Sequence, residues 1–235
     1  MDREARRLAF RSLAAELDKL DLPVYESFGK DPLEPIIGFG PAQARLCIFG
    51  RDPGREEVRH GMPFVGAGGQ KVRAELYRAW FGTEMPDFEA SIAIGDNVFW
   101  ANTMPYKPLG NKAWSQAVKK RGRSLMADVL LHEWTGEDVV TLGREAFLWF
   151  GIGVDRAARK QLEAFWQRED RFETSFEWTL QGEDGEARTL RLHPLPHPSP
   201  LNATWYRRFP ELLAARLGQL AWGRDRWERS PSPPR

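Results

Sequence analysis

Leu8, Leu13, Leu17 and Leu20 recur at helical spacing among Arg, Glu and Lys, which predicts a helix over residues 3–20, stopped by Pro23. Residues 22–43 are rich in proline and glycine and read as a loop. A short apolar run, "ARLCIFG" (44–50), ends on glycine and has the form of a buried strand. A glycine-rich stretch follows, then "QKVRAELYRAWFG" (70–82), a helix closed by Gly82. "NVFWANT" (97–103) is a second strand, and a loop with Pro105, Pro108 and Gly110 follows it. Residues 114–134 are mostly helix formers with a weak point at Gly122. "EDVVTLG" (137–143) is a third strand and "REAFLWFG" the helix after it. "RFETSFEWTL" and "ARTLRLHPLP" flank "QGEDGE" as the arms of a hairpin. Residues 205–222 form the last helix, and the closing "RSPSPPR" reads as disordered.

Strands that alternate with helices predict an α/β fold with a mainly parallel sheet. Ligands of such sheets sit at the carboxyl ends of the strands. The three least ordinary segments, RDPG, NTMPYKP and HPLPHPSPLN, each follow a predicted strand. All three are therefore expected at one edge of the sheet.

Composition adds limits. The 235 residues are 42% hydrophobic, enough for a sizeable core. Lys plus Arg number 34 against 33 Asp plus Glu, so the net charge of +1 does not advertise a nucleic-acid binder. A local basic face would still serve one. Ten tryptophans are many for this length and suit core packing. The single cysteine allows no internal disulfide framework and no cysteine-ligated cluster. No stretch reads as a signal peptide, and no apolar run reaches the roughly 20 residues of a membrane span. A cytoplasmic protein is expected, with a monomer as the default.

Candidate chemistry lies in the same three segments. Asp52 sits at a strand end between Arg51 and Pro53, where a turn fixes a carboxylate toward a cleft. Phe64 lies between Pro63 and Val65-Gly66, with Gly61, Gly68 and Gly69 near it, a rigid ring beside bare backbone. Asn102 carries a side-chain amide with donor and acceptor, which matches the edge of a nucleobase. His197 is held in a proline-bracketed loop at low entropic cost. Taken singly, each has an ordinary reading: a turn former, a core ring, a loop cap, a solvated histidine. His193 and His197 are four apart, but Pro194, Pro196 and Pro198 forbid the helix that would join them on a metal, so no metal is expected. The order Gly66-Ala67-Gly68-Gly69-Gln70-Lys71 lacks the Gly-Lys-Ser/Thr of a phosphate loop. No Gly-x-Ser-x-Gly elbow is present, and Cys47 lies inside an apolar strand as a core residue.

Together these residues resemble the uracil-DNA glycosylase superfamily. "GRDPGREEVRHGMPFVGAGGQKVR" resembles the first motif of its family 4, a Gly-x-x-Pro-Gly turn followed by Gly-x-Pro-Phe-Val-Gly-x-x-Gly. "NTMPYKPLGN" resembles the second region, and "HPLPHPSPL" the third, closest to family 1. The likeness covers roughly residues 35 to 222, and the joint order of three motifs makes it specific. Asp52 matches the water-activating aspartate of family 1, whereas its glycine-rich surroundings look like family 4. Family 4 proteins carry four cysteines for an iron–sulfur cluster, so none is expected here. Gly54 stands where family 1 has the tyrosine that blocks the methyl group of thymine.

The resemblance implies a three-layer α/β/α domain with a central, mainly parallel four-stranded sheet over residues 35–225. Residues 1–34 would add an N-terminal helix and loop, and 226–235 a disordered tail. It implies a monofunctional glycosylase that flips a uracil or related deaminated base out of DNA and hydrolyses its N-glycosidic bond, without cofactor. Asp52 and His197 would be catalytic; Gly50, Arg51, Phe64 and Asn102 would bind the base; Ser199, Leu201 as a wedge and Lys112 would touch DNA. Lys112, Lys119, Lys120, Arg121 and Arg123 form a basic run that suits either phosphate contacts or a solvated helix face. Two other readings stay open: a lesion- or abasic-site binder without catalysis, and an unrelated α/β hydrolase or nucleotide-binding enzyme.

Overall fold

The computed structural model describes residues 1–38, 40–199 and 203–223. Five strands form one sheet: β1 (Leu46–Gly50), β2 (Phe99–Asn102), β3 (Asp138–Leu142), β4 (Phe176–Gln181) and β5 (Ala187–Leu195). Their order is β2-β1-β3-β5-β4. The first four in that order are parallel, and β4 is an antiparallel edge strand paired only to β5. The sheet thus has one strand more than the four expected, because β4 adds itself to the edge of β5. β1 and β3 are buried along their whole length, as strands covered on both faces must be. β4 alternates buried and exposed positions, as an edge strand does.

The helices are α1 (Arg3–Ala15), α2 (Leu22–Ser27), α3 (Arg55–His60), α4 (Ala67–Phe81), α5 (Phe88–Gly95), α6 (Gln116–His132), α7 (Arg144–Trp149), α8 (Arg156–Trp166) and α9 (Ala203–Gln219). Cys47, Phe49, Phe99, Ala101 and Val139 face a core shared with α1, α6, α7 and α8. Leu46, Ile48, Val98, Trp100 and Val140 face the other core, with α4, α5 and α9. The period-2 alternation of the strands therefore builds three layers, α/β/α.

Four helices were not anticipated: α2, α3, α5 and α8. Pro23 does not stop the first helix, which closes at Glu16; it sits in the first turn of α2, where its missing N–H leaves no bond unmade. That turn lies inside the 22–43 segment expected to be loop. Asp87 and Asp155 cap α5 and α8, each accepting a backbone N–H at 2.8 Å. The C-terminal tail expected to be disordered lies outside the described residues.

Gly122 is not a break in α6. A Cβ at that position would run into the Met104 sulfur and reach Leu13 Cδ2 at 3.3 Å, so the glycine lets α6 close on α1 and the β2 loop. Gly122→Ala gains about 1 kcal/mol of helix propensity but overpacks a buried contact at about 1–3 kcal/mol. The expected result is a lower urea midpoint with an unchanged slope. A midpoint at or above that of the wild type would refute the tight contact.

Candidate active site

The chain leaves β1 and β3 on opposite sides of the sheet: the segment after β1 leads to α4 and α5 on one face, and that after β3 to α7 and α8 on the other. A cleft opens where they diverge. It has a volume of about 180 Å³ and is lined by Gly50, Arg51, Asp52, Phe64, Asn102, Leu142 and His197, among others. Six of the nine predicted site residues meet there. Sites for drug-sized ligands run to several hundred Å³, so this one suits a single small ring.

Phe64 forms one wall. Its φ of 55° is left-handed, a state that costs a non-glycine residue on the order of 1–3 kcal/mol. Three partners hold it. The buried Arg73 guanidinium donates to the carbonyls of Phe64 (2.8 Å), Ser91 (2.6 Å) and Pro63 (3.2 Å). Trp100 lies against the Phe64 ring, centroids 5.0 Å apart, and itself rests under Arg73. Glu57 accepts the N–H groups of Gly54 (2.9 Å), Val65 (3.0 Å) and Gly66 (2.7 Å), which ties the Asp52 turn to the Phe64 turn. A Cβ on Gly50 would lie 2.6 Å from the Phe64 ring, so only glycine admits the ring at the end of β1.

Asn102 ends β2 in register with Gly50. It is 5% exposed, and its Oδ1 has no hydrogen-bond partner among the described residues. A buried acceptor without a partner costs free energy, which a ligand donor would recover.

The Asp52 side chain is only 1% exposed. The Thr103 hydroxyl donates to its Oδ1 at 3.0 Å, the Trp114 N–H reaches Oδ2 at 3.4 Å, and Arg51 Nε stands 3.5 Å from Oδ2. Burial raises the carboxyl to about 6, against the opposing charge of Arg51, the Thr103 bond and the charge of Lys119. His197 lies in the loop after β5. Burial, with the Arg51 charge added, pushes its imidazole down to about 4, so it is neutral at pH 7. Two close approaches fix that loop: Cβ atoms on Gly143 and Gly68 would stand 2.9 Å from His197 Cβ and 2.8 Å from the Pro198 carbonyl oxygen.

Two predicted residues, Ser199 and Lys112, are not in the cleft wall. Ser199 is half-buried at the end of the described part of the loop, its N–H bonded to the His197 carbonyl at 2.9 Å. Lys112 is exposed on a separate groove beside Leu17, Pro108 and Leu109. Leu201 lies outside the described residues. The basic run also divides. Lys119 is buried against Glu145, Arg121 pairs with Glu16, and Arg123 donates to the Gln181 carbonyl at 2.8 Å. His193 belongs to β5 and serves the fold: Asp138 lies 2.8 Å from its Nε2, and Arg216 donates to its Nδ1 at 3.1 Å. Nε2 therefore carries the proton and donates to Asp138.

The residues that position the site, Glu57, Arg73, Thr103 and Trp114, had not been singled out. Only Glu57 left a legible trace, as the acidic residue three places after Gly54 at a helix start. Asp128, His132 and Asp184 bring one ligand atom each within 4.8 Å of one another. Arg6 already occupies Asp128 Oδ2 at 2.5 Å, which makes this a charge network. One cysteine, buried in β1, does not supply the four thiolates of an iron–sulfur cluster.

The architecture is that of an α/β protein with a narrow cleft, the size of one small ring, at the switch point of its sheet. The sequence profile described as "Uracil DNA glycosylase superfamily" matches residues 37–221, and the chain belongs to that superfamily. A search of curated proteins returns no match. No helix among the described residues is long and apolar enough to cross a membrane.

The Asp52 environment makes a stability prediction. A carboxyl raised from 3.8 to about 6 removes up to ~3 kcal/mol of stability at neutral pH. The folded state holds the proton more tightly than the unfolded chain, so this penalty is absent below pH ~4, grows up to about pH 6 and is constant above. Asp52→Asn is expected to stabilise the protein at pH 7 by about 1–2 kcal/mol, allowing for the lost Trp114 bond. The gain should vanish near pH 3.5. Thermal unfolding at both pH values checks this; a destabilised variant at pH 7 would mark Asp52 as a structural residue.

Proposed function

We propose that this chain is a monofunctional DNA glycosylase that hydrolyses the N-glycosidic bond of uracil or a related deaminated base. The observation that carries the reading is the meeting of Phe64, Asn102, Asp52 and His197 around one cleft of about 180 Å³. Superfamily membership supports a glycosylase in general; the chemistry below rests on the site. The base leaves the stack at a cost of a few kcal/mol and stacks on Phe64. Asn102 reads its edge, offering the Oδ1 that has no partner among the described residues.

As the bond breaks, positive charge develops on the sugar and negative charge on the base. Ionised Asp52 stabilises the cation and orients water toward the sugar carbon. His197, neutral because burial depresses it, donates a hydrogen bond to the departing base oxygen. A fixed donor of this kind is worth on the order of 10²–10³ in rate. Water gives its hydroxyl to the sugar carbon, and its proton goes to the base. Gly54, beside Asp52, has no side chain of its own to set against a substituent on the ring, so that position offers no tyrosine-like barrier to thymine.

The test is base release from labelled oligonucleotides carrying uracil, hypoxanthine, xanthine or a G·T mismatch, read as alkali-labile sites under single turnover. One substrate should be cleaved, with no strand scission before alkali. The rate should rise as pH passes through about 6, where Asp52 ionises, and His197 should remain neutral throughout. Asp52→Asn and His197→Ala should each lose at least a hundredfold. If no base is released where a control glycosylase works, yet the lesion is bound, the non-catalytic binder is the better reading; the burial of Asp52 at 1% exposure favours that alternative.

A further inference from the structure

Building on the base-release reading, we propose that the pocket between α6, α7 and α8 seats the DNA backbone flanking the flipped nucleotide. The pocket has a volume of about 490 Å³. Lys120 and Arg144 stand on it, both exposed and neither engaged in an ion pair or hydrogen bond among the described residues. Gln116 adds an amide and Arg159 a third cation. The one carboxylate in the wall among the described residues, Glu163, is held by Arg159 at 3.0 Å. Three cations against one carboxylate favour a polyanion. The same count separates this pocket from the neighbouring groove toward β4, whose walls carry Asp155, Glu177 and Glu183 against Lys120 and Arg123.

Position selects a nucleic-acid backbone among polyanions. Arg144 directly follows Gly143, which is pressed against His197. Gln116 comes two residues after Trp114, whose N–H reaches Asp52. Both helices thus begin within a few residues of groups that touch Asp52 or His197, and their first residues, Gln116 and Arg144, line the pocket. A nucleotide held at Asp52 and His197 brings its neighbouring phosphates next to that opening. Phosphate contacts of this kind set register and affinity without reading sequence. They also separate the basic run of α6 by role: Lys119 is buried with Glu145, while Lys120, one residue on, faces the pocket.

The experiment measures binding of the full chain to a labelled oligonucleotide carrying 2′-fluoro-2′-deoxyuridine, which resists hydrolysis, by anisotropy from 50 to 200 mM salt. Lys120→Gln combined with Arg144→Gln should weaken binding about tenfold near 0.1 M salt and lower the log–log salt slope by about 2. Lys120→Arg with Arg144→Lys should restore most of both. Arg45→Gln, just before β1 at the opposite end of the sheet, should leave both unchanged. Equal slopes for the wild type and the Lys120/Arg144 glutamine variant would overturn the pocket and leave the base-release reading standing. No binding by the wild type at any salt would overturn both. Circular dichroism and thermal midpoints of the exposed variants separate misfolding from lost contacts.

Discussion

The Glu57 carboxylate holds the site together. It accepts three backbone N–H groups drawn from both ends of the β1–α4 connection. Bonds of a backbone amide to a charged acceptor are about twice as strong as neutral ones, and this carboxylate is nearly shielded from water. Its effect is to fix the separation of two turns. One carries Asp52, and the other carries Phe64 in a strained conformation. Arg73 does the complementary task from the donor side, gathering three carbonyls. Together one anion and one cation satisfy backbone groups that an irregular buried loop would otherwise leave unpaired.

Much of the sheet was legible because buried parallel strands are short apolar runs ended by a glycine or a polar residue. Leu46–Gly50, Phe99–Asn102 and Asp138–Leu142 all have that form. Three of the missed helices, α2, α3 and α5, are short, and α2 bears a proline; α8, of 11 residues, has a legible apolar face in Leu162 and Phe165. Asp87 and Asp155 are ordinary caps, visible in hindsight. Pro23 was ambiguous, since proline both ends helices and begins them. Whether the hairpin joined the sheet depended on the pairing of β5 with β3, Val139 opposite Leu192, which no local pattern encodes.

The site was legible where a residue's place follows from a strand end, as for Asp52, Asn102 and His197. It was not legible where burial and charge decide the state of a group. Nothing in "GRDPG" says that Asp52 is enclosed by Thr103 and Trp114, or that burial lifts its carboxyl to about 6. Nor does a run of lysines and arginines on α6 say which face water. A helix turns 100° per residue, so neighbours in a basic run point to different surroundings. Lys119 and Lys120 illustrate this directly.

The loop that carries His197 touches its surroundings through two missing side chains, at Gly68 and Gly143. Its placement is therefore encoded in positions that themselves do no chemistry. A related chain that keeps His-Pro-Ser-Pro but gains a methyl at either glycine would spell the same motif while displacing the imidazole. The letters of such a motif then leave the position of its histidine undecided. The pair of glycines is the more discriminating marker, and it lies outside the motif it protects.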